Sequence, residues 1–368
     1  MTTPSNDLLY QIAIKQIPLV GDVIAKTLIS YCGGVKEVFS QKRSKLLKIP
    51  TIGEAIANNI VNFKDFKKAE KEVAFIIKHQ IKTHFYLDEH YPWRLKEIND
   101  SPILLYSLGN VNLNADKIVG IVGTRKITEH GKAFTQQLVS ELKDLNCLII
   151  SGLALGVDIC AHKAAIENGL QTIGVLAHGL DRIYPPVHAG IAKRMLNNGG
   201  LITEFNSNTN PDKENFPKRN RIVAGLCDVL VLSETAIKGG ARITAEIALS
   251  YNKDIMAVPG RINDYYSAGC NYLIKEHKAA MLTCTDDLIN LMGWHKNKKH
   301  KQQQTKLFNQ VNEADKPIIY YLQQKLKAGI DEIAYDLQID SGNLSLKLLE
   351  LEFNGIIRAL PGKQYELA

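Results

Sequence analysis

No apolar run approaches the ~20 residues needed to span a bilayer. The start, MTTPSNDLLY, has neither the basic opening nor the apolar core of a signal peptide. A cytoplasmic protein without membrane insertion is expected. Cysteine is sparse: Cys32, Cys147, Cys160, Cys227, Cys270 and Cys284 are scattered with no CxxC pair, so they read as reduced core thiols. The phosphate loop GxxxxGK[ST] is missing, which argues against ATP hydrolysis by that route. GxGxxG is missing too, and no acid closes the strand after GIVGTR to hold a ribose, so the dinucleotide fingerprint is excluded.

At 368 residues the chain is too long for one ordinary core, and two or three domains are expected. Forty-five Lys and Arg against 38 Asp and Glu leave a net +7, which permits a polyanionic partner without demanding one. Where the cations sit matters more than their sum.

Residues 1–82 look helical and contain an echo. Pro18, Gly21, Ala25 and Leu28 recur at the spacing of Pro50, Gly53, Ala57 and Ile60, each set opening an amphipathic helix. The pattern resembles a tandem helix-hairpin-helix (SAM-like) domain. Leu19 and Thr51 occupy the first glycine position, and Asp22 and Glu54 follow the second, where acids would repel phosphate. Packing or a protein contact is favoured there over DNA binding. Residues 83–112, rich in tyrosine and interrupted by proline, read as a connector packed along the next domain.

From 113 to 294, short apolar strands alternate with amphipathic helices: Ile118–Val122, Cys147–Ser151, Gln171–Leu176, Leu201–Thr203, Val229–Leu232, Ile255–Val258 and Ala280–Leu282. This predicts an α/β fold, an extended Rossmann-like, doubly wound and mostly parallel sheet. Residues 295–313 read as a basic linker, since the stretch from Trp294 to Lys306, WHKNKKHKQQQTK, has five lysines and no acid. Residues 314–368 show three helical patterns and a hairpin around Pro361-Gly362, the order of a winged helix. Its third helix, NLSLKLLELEFN, offers Lys347 against Glu350 and Glu352, so a protein-interaction module is favoured over a DNA reader.

Four loops follow predicted strands and, on a parallel sheet, converge on one edge. In the first, Gly123 allows a close backbone approach, Thr124 follows, and Arg125 supplies a planar fork for phosphate. The second, SGLALGVD, has the glycines of an anion nest. Asp158 and His162 stand one turn apart after it, with His178, Asp181 and His188 further on. A metal pair is conceivable, but a structural His–Asp hydrogen bond is commoner, and no metal or cofactor is expected. The third, PDKENFPKRNRIVAGL, gathers Lys213, Phe216, Lys218, Arg219, Asn220 and Arg221: cations for phosphates beside a ring that could stack on a base. For Phe216 alone, a place in the core is an equal alternative. The fourth, SETAIKGGARITAEIA, sets Lys238, two glycines and Arg242 at a helix start.

Taken together, IVGTRxxxxxG, SGLAxGVDxxAH, GLDxxYP, FPKRNRIVAGL, the GG-to-helix turn and AVPG followed by Gly269 and Leu273-Ile274 resemble the DNA-processing protein A (Smf) family. The resemblance implies a protein of natural transformation that binds and protects incoming single-stranded DNA and hands it to a RecA-type recombinase. It further implies a homodimer, no catalytic turnover and no cofactor. By the same resemblance, Gly123, Arg125, Lys213, Phe216, Arg219, Asn220 and Arg221 would contact DNA; Lys238 and Arg242 join them on charge and loop position. The dimer edge would lie near Tyr272, Leu273 and Ile274. The competing reading is a nucleotide phosphoribohydrolase on a related sheet, since GGARITAE loosely resembles PGGxGTxxE with Glu246 as its acid.

Overall fold

The computed structural model describes residues 7–294, 315–325, 327–360 and 364–367. The chain divides between Lys296 and Asn297 into two compact units, each with its own core. The basic stretch 295–313 and the Pro361-Gly362 turn lie outside the described residues.

The larger unit is organised by a nine-stranded sheet. Its strands are β1 (Lys82–Phe85), β2 (Leu104–Gly109), β3 (Ile118–Val122), β4 (Leu148–Ser151), β5 (Thr172–Val175), β6 (Gly199–Thr203), β7 (Val229–Leu232), β8 (Asp254–Ala257) and β9 (Ala280–Met281). They lie in the order β1-β2-β6-β5-β4-β3-β7-β8-β9. From β6 to β9 all pairs are parallel. β3, IVGIV, is buried throughout because its two faces belong to two different hydrophobic cores, one on each side of the sheet. Successive strands step away from β3 to β6, then the chain returns to lay β7 on its other side. The switch therefore falls between β3 and β7, where a crevice opens beyond the strand ends.

Residues 83–112 do more than connect. They complete β1 and supply β2, which pair antiparallel with each other and with β6 and so extend the sheet. Between these strands Arg94, 1% exposed, clamps Asp228 with two hydrogen bonds of 2.6 and 2.9 Å. It also donates to the Ala115 and Asp116 carbonyls, which fixes this segment to the entry of β3 and β7.

The helical repeat packs on the outer end of the sheet, with Phe85, Leu104 and Tyr106 sharing its core. Ala25, Leu28, Ala57 and Ile60 are buried at equivalent places in the Asp22–Cys32 and Glu54–Asn62 helices. Leu19 and Thr51 adopt φ of 68° and 69°, the left-handed conformation a glycine would take without strain. Asp22 faces inward, accepting from the Ile103 amide at 3.0 Å and from Arg221. It is a joint between the helical layer and the sheet.

The smaller unit runs helix (Lys316–Lys325), β10 (Lys327–Gly329), helix (Ile330–Leu337), helix (Ser341–Phe353), β11 (Ile357–Leu360) and β12 (Gln364–Leu367). The strands form an antiparallel sheet in the order β10-β12-β11, the winged-helix arrangement. On its third helix Leu346, Leu349 and Phe353 are exposed, so apolar groups occupy the face where a groove reader carries cations. Among the described residues, no helix is long and apolar enough to cross a membrane.

Candidate functional site

A groove of about 360 Å³ crosses the carboxyl ends of β4, β3, β7 and β8. All four predicted loops reach it. Gly123, Thr124 and Arg125 enter after β3, Gly152 and Ala154 after β4, Lys238 and Gly239–Ala241 after β7, and Phe216, Arg219 and Asn220 from the Asn215–Leu226 helix. Gly240 opens an 11-residue helix, and Gly239, Gly240 and Ala241 at its start line the groove. Arg125 and Lys238 are exposed cations on its walls.

Phe216 is the meeting point. The Arg125 Cζ lies 5.3 Å from its ring centroid and the Arg219 Cζ 5.9 Å, while Tyr184 meets it edge-on at 6.3 Å. The ring is half-buried and lines both the groove and a small side cavity of about 40 Å³. Both alternatives read from the sequence are thus partly realised: one part of the ring is packed and another is accessible.

Arg219 departs from expectation. It is 5% exposed, and its Nη1 donates to the carbonyls of Gly152 and, at 2.6 Å, Val175, tying the ends of β4 and β5 together. A β-carbon on Gly152 would lie 2.1 Å from that nitrogen, so this glycine makes room for the strut and not for a ligand. Burial pulls the guanidinium below its ordinary pKa, and the nearby Asp158 charge opposes that shift. Arg219 forms the floor of the groove and is not a free cation.

The second loop is also filled from within. Its Gly152 and Ala154 amides point at the Asp158 carboxylate, 3.2 and 3.3 Å away, which occupies the expected anion nest. Burial pushes the Asp158 carboxyl above the usual range and the Arg219 charge works against it. His162 turns elsewhere, sharing Thr172 Oγ1 at 2.7 Å, and burial drives its pKa down to about 3. His178 and His188 bond the carbonyls of Gly179 and Leu153. Gly123, too, is demanded by packing: a β-carbon there would lie 2.4 Å from Val157 and 2.9 Å from the Glu234 carbonyl.

Further expected contacts are corrected. Arg221 points away from the groove into an ion cluster with Asp22, at 2.9 Å, and Glu204, at 2.5 Å. Arg242 lies outside the groove lining; it bonds Glu246 and the Ile237 carbonyl and covers the Tyr272 ring at 4.9 Å. Leu273 is 0% exposed within the core and cannot form an outer edge, whereas Tyr272 and Ile274 remain half-buried. Lys213 and Lys218 are exposed but do not line the groove. Glu246, the acid of the hydrolase reading, is absent from the groove lining and pairs with Arg242 at 3.1 Å.

Sequence reasoning missed Tyr265 and Tyr266, which line the groove from the loop after β8. The available signal was an adjacent aromatic pair separated by four residues from a strand and its Pro-Gly turn.

The fold and site define a doubly wound α/β protein with a cationic, aromatic-lined groove at its topological switch. A family model described as DNA recombination-mediator protein A matches residues 82–293, and the chain belongs to that family. The DNA processing protein DprA of Streptococcus pneumoniae is 38% identical over 203 residues, covering 55% of this chain and 71% of the relative. Protein Smf of Synechocystis sp. is 28% identical over 402 residues, spanning 98% of this chain and 99% of that one. The X-ray structure of the S. pneumoniae protein superposes with a TM-score of 0.68 at 31% identity, covering 78% of this chain and 99% of that chain. DNA processing protein A from Helicobacter pylori, described for its single-stranded DNA binding mode, gives 0.53 at 32% identity over 59% of this chain and 98% of its own.

Proposed function

We propose that this recombination mediator binds single-stranded DNA across the groove and passes it to a RecA-type recombinase, without catalytic turnover or a cofactor. The observation that carries the reading is the convergence of Arg125, Phe216 and Lys238, from three separate segments, on one continuous groove. An extended polyanion with exposed bases suits such spaced cations and a ring between them; a compact nucleotide would leave part of the groove empty. The H. pylori relative, which binds single-stranded DNA, supports the ligand, and family membership supports the mediator role. Hydrolysis is disfavoured because Glu246 lies outside the groove lining and pairs with Arg242.

A cytoplasmic homodimer fits this role. Its edge is proposed at Tyr272 and Ile274 together with the exposed Met281 on edge strand β9. Affinity for oligo-dT measured against salt tests the DNA reading. It should fall with a log–log slope of about −0.7 per phosphate contacted, and Arg125→Ala should make that slope shallower. Phe216→Ala should weaken binding by about 1–3 kcal/mol and leave the slope nearly unchanged. A wild-type protein that does not bind oligo-dT, or Arg125→Ala with an unchanged slope and affinity, would remove the basis of the proposal.

A further inference from the structure

The loop between β8 and the Ala268–Lys275 helix places large apolar groups in water. Ile262 is 91% exposed and Tyr265 70% exposed, beside an exposed Arg261. Aromatic surface left open on a well-anchored loop needs a reason, and this loop is anchored at both ends. Asn271 exchanges two hydrogen bonds with Gly260, of 2.9 and 3.1 Å. The Gly269 amide donates to the Thr235 carbonyl at 2.8 Å, and a β-carbon on Gly269 would lie 2.5 Å from that oxygen. The loop therefore stands on the same turn that carries Lys238. Within it, the Asp264 amide bonds the Arg261 carbonyl and the Ser267 amide the Asp264 carbonyl, each at 3.1 Å. The Tyr266 ring meets Tyr265 edge-on, with centroids 5.1 Å apart and planes at 82°.

Both tyrosines line the groove that Phe216 lines. Phe216 packs toward the ends of β4 and β5, through its neighbour Arg219, while the tyrosines follow β8. In the sheet β3 and β7 stand between β4 and β8, so the two aromatic positions reach the groove from different segments, and each can take a base of its own.

We infer that Tyr265, braced by Tyr266, is a second stacking platform, which takes a base further along the same unpaired strand than the one on Phe216. The inference rests on the reading of the groove as a single-strand site. Aromatic stacking tolerates any base, so the platform lengthens the site without imposing sequence. Lys238, on the turn beneath, holds the phosphate between.

Tyr265→Ala, Tyr265→Phe and Phe216→Ala, compared with the wild type on oligo-dT and on an abasic oligomer of equal length by fluorescence anisotropy, test it. Tyr265→Ala should bind oligo-dT about 5- to 150-fold more weakly, with wild-type affinity for the abasic strand. Tyr265→Phe should match the wild type on both. Equal losses on both strands, or a Phe variant as weak as the Ala variant, would show a phosphate contact through the hydroxyl and overturn the inference. Unchanged binding by Tyr265→Ala, with Phe216→Ala impaired, would overturn this inference alone; no oligo-dT binding by the wild type would overturn the groove reading with it. Because Tyr265 is exposed, its variants should melt as the wild type does, and a melt that drops with the affinity would also count against the platform.

Discussion

Two arginines that the sequence offers alike as phosphate contacts, Arg125 and Arg219, have opposite fates. Arg125 is exposed on the groove wall, and Arg219 is a buried strut across two carbonyls with Asp158 close by. Residue type specified the chemistry in both cases; the depth of the helix that carries Arg219 specified the role. Arg219→Ala would leave two buried carbonyls without this donor and Asp158 without the positive charge that favours its ionised form. Its main effect should thus be on stability, a loss of about 3 kcal/mol or more in chemical denaturation. Arg219→Lys should recover only part of this, since an ammonium can serve the two carbonyls that Nη1 bonds but lacks the Nε that donates to Asn220. The salt slope of any remaining oligo-dT binding should stay at the wild-type value. A stably folded Arg219→Ala protein with a shallower slope would restore this residue to the DNA-contacting set.

At the scale of elements, the repeated hairpins show how a sequence can state its own strain. Leu19 and Thr51 stand where a glycine belongs, and both take the left-handed backbone that position requires. For a β-branched residue such as Thr51 the cost is about 1–2 kcal/mol, offset in part by the chain entropy that glycine would add to the unfolded state. Thr51→Gly should therefore raise the unfolding free energy by up to about 1 kcal/mol and shift the denaturation midpoint upward, with Leu19→Gly acting in the same direction. A loss of stability in both would mean that the side chains supply packing worth more than the strain. Periodicity located β3 to β9 within a residue or two because these strands are short apolar runs between helices. It did not find β2: LLYSLG follows a proline, and its partner β1 is only four residues long, so the pairing depends on β6, distant in sequence. The four loops were legible because parallel topology alone brings strand ends together. The tyrosine loop was not, since it carries no cluster of cations and aromatic pairs in a chain are more often core. The direction of Arg221 was equally hidden, because its partners lie 17 and 199 residues away.

That ion cluster joins the molecule's parts. Arg221 sits five residues beyond Phe216 on the same helix and bonds Asp22 of the helical layer and Glu204 beyond β6; Lys15 approaches both acids at 4.0 and 3.8 Å. Burial pushes Asp22 up, but Lys15 and Arg221 outweigh it and hold the carboxyl below its usual range. Burial raises Glu204, and the same cations do not fully cancel the shift. The signs follow from linkage. A depressed carboxylate contributes stability above its unfolded pKa, lost as pH falls through the folded value; a raised one contributes below its unfolded pKa, lost as pH rises through the folded value. Arg221→Met removes the main hydrogen-bonded cation from both acids, so both folded pKa values rise and the charged forms become costly above the unfolded values of about 4. The variant should lose about 3–5 kcal/mol at pH 7 and much less at pH 4, where the acids can protonate. Denaturation at the two pH values measures the difference, and hydrogen exchange should place the loosening in residues 8–78, whose core rests on β1 and β2. An equal loss at both pH values would mean that the arginine stem, and not its charge, holds the helical layer to the sheet that carries the groove.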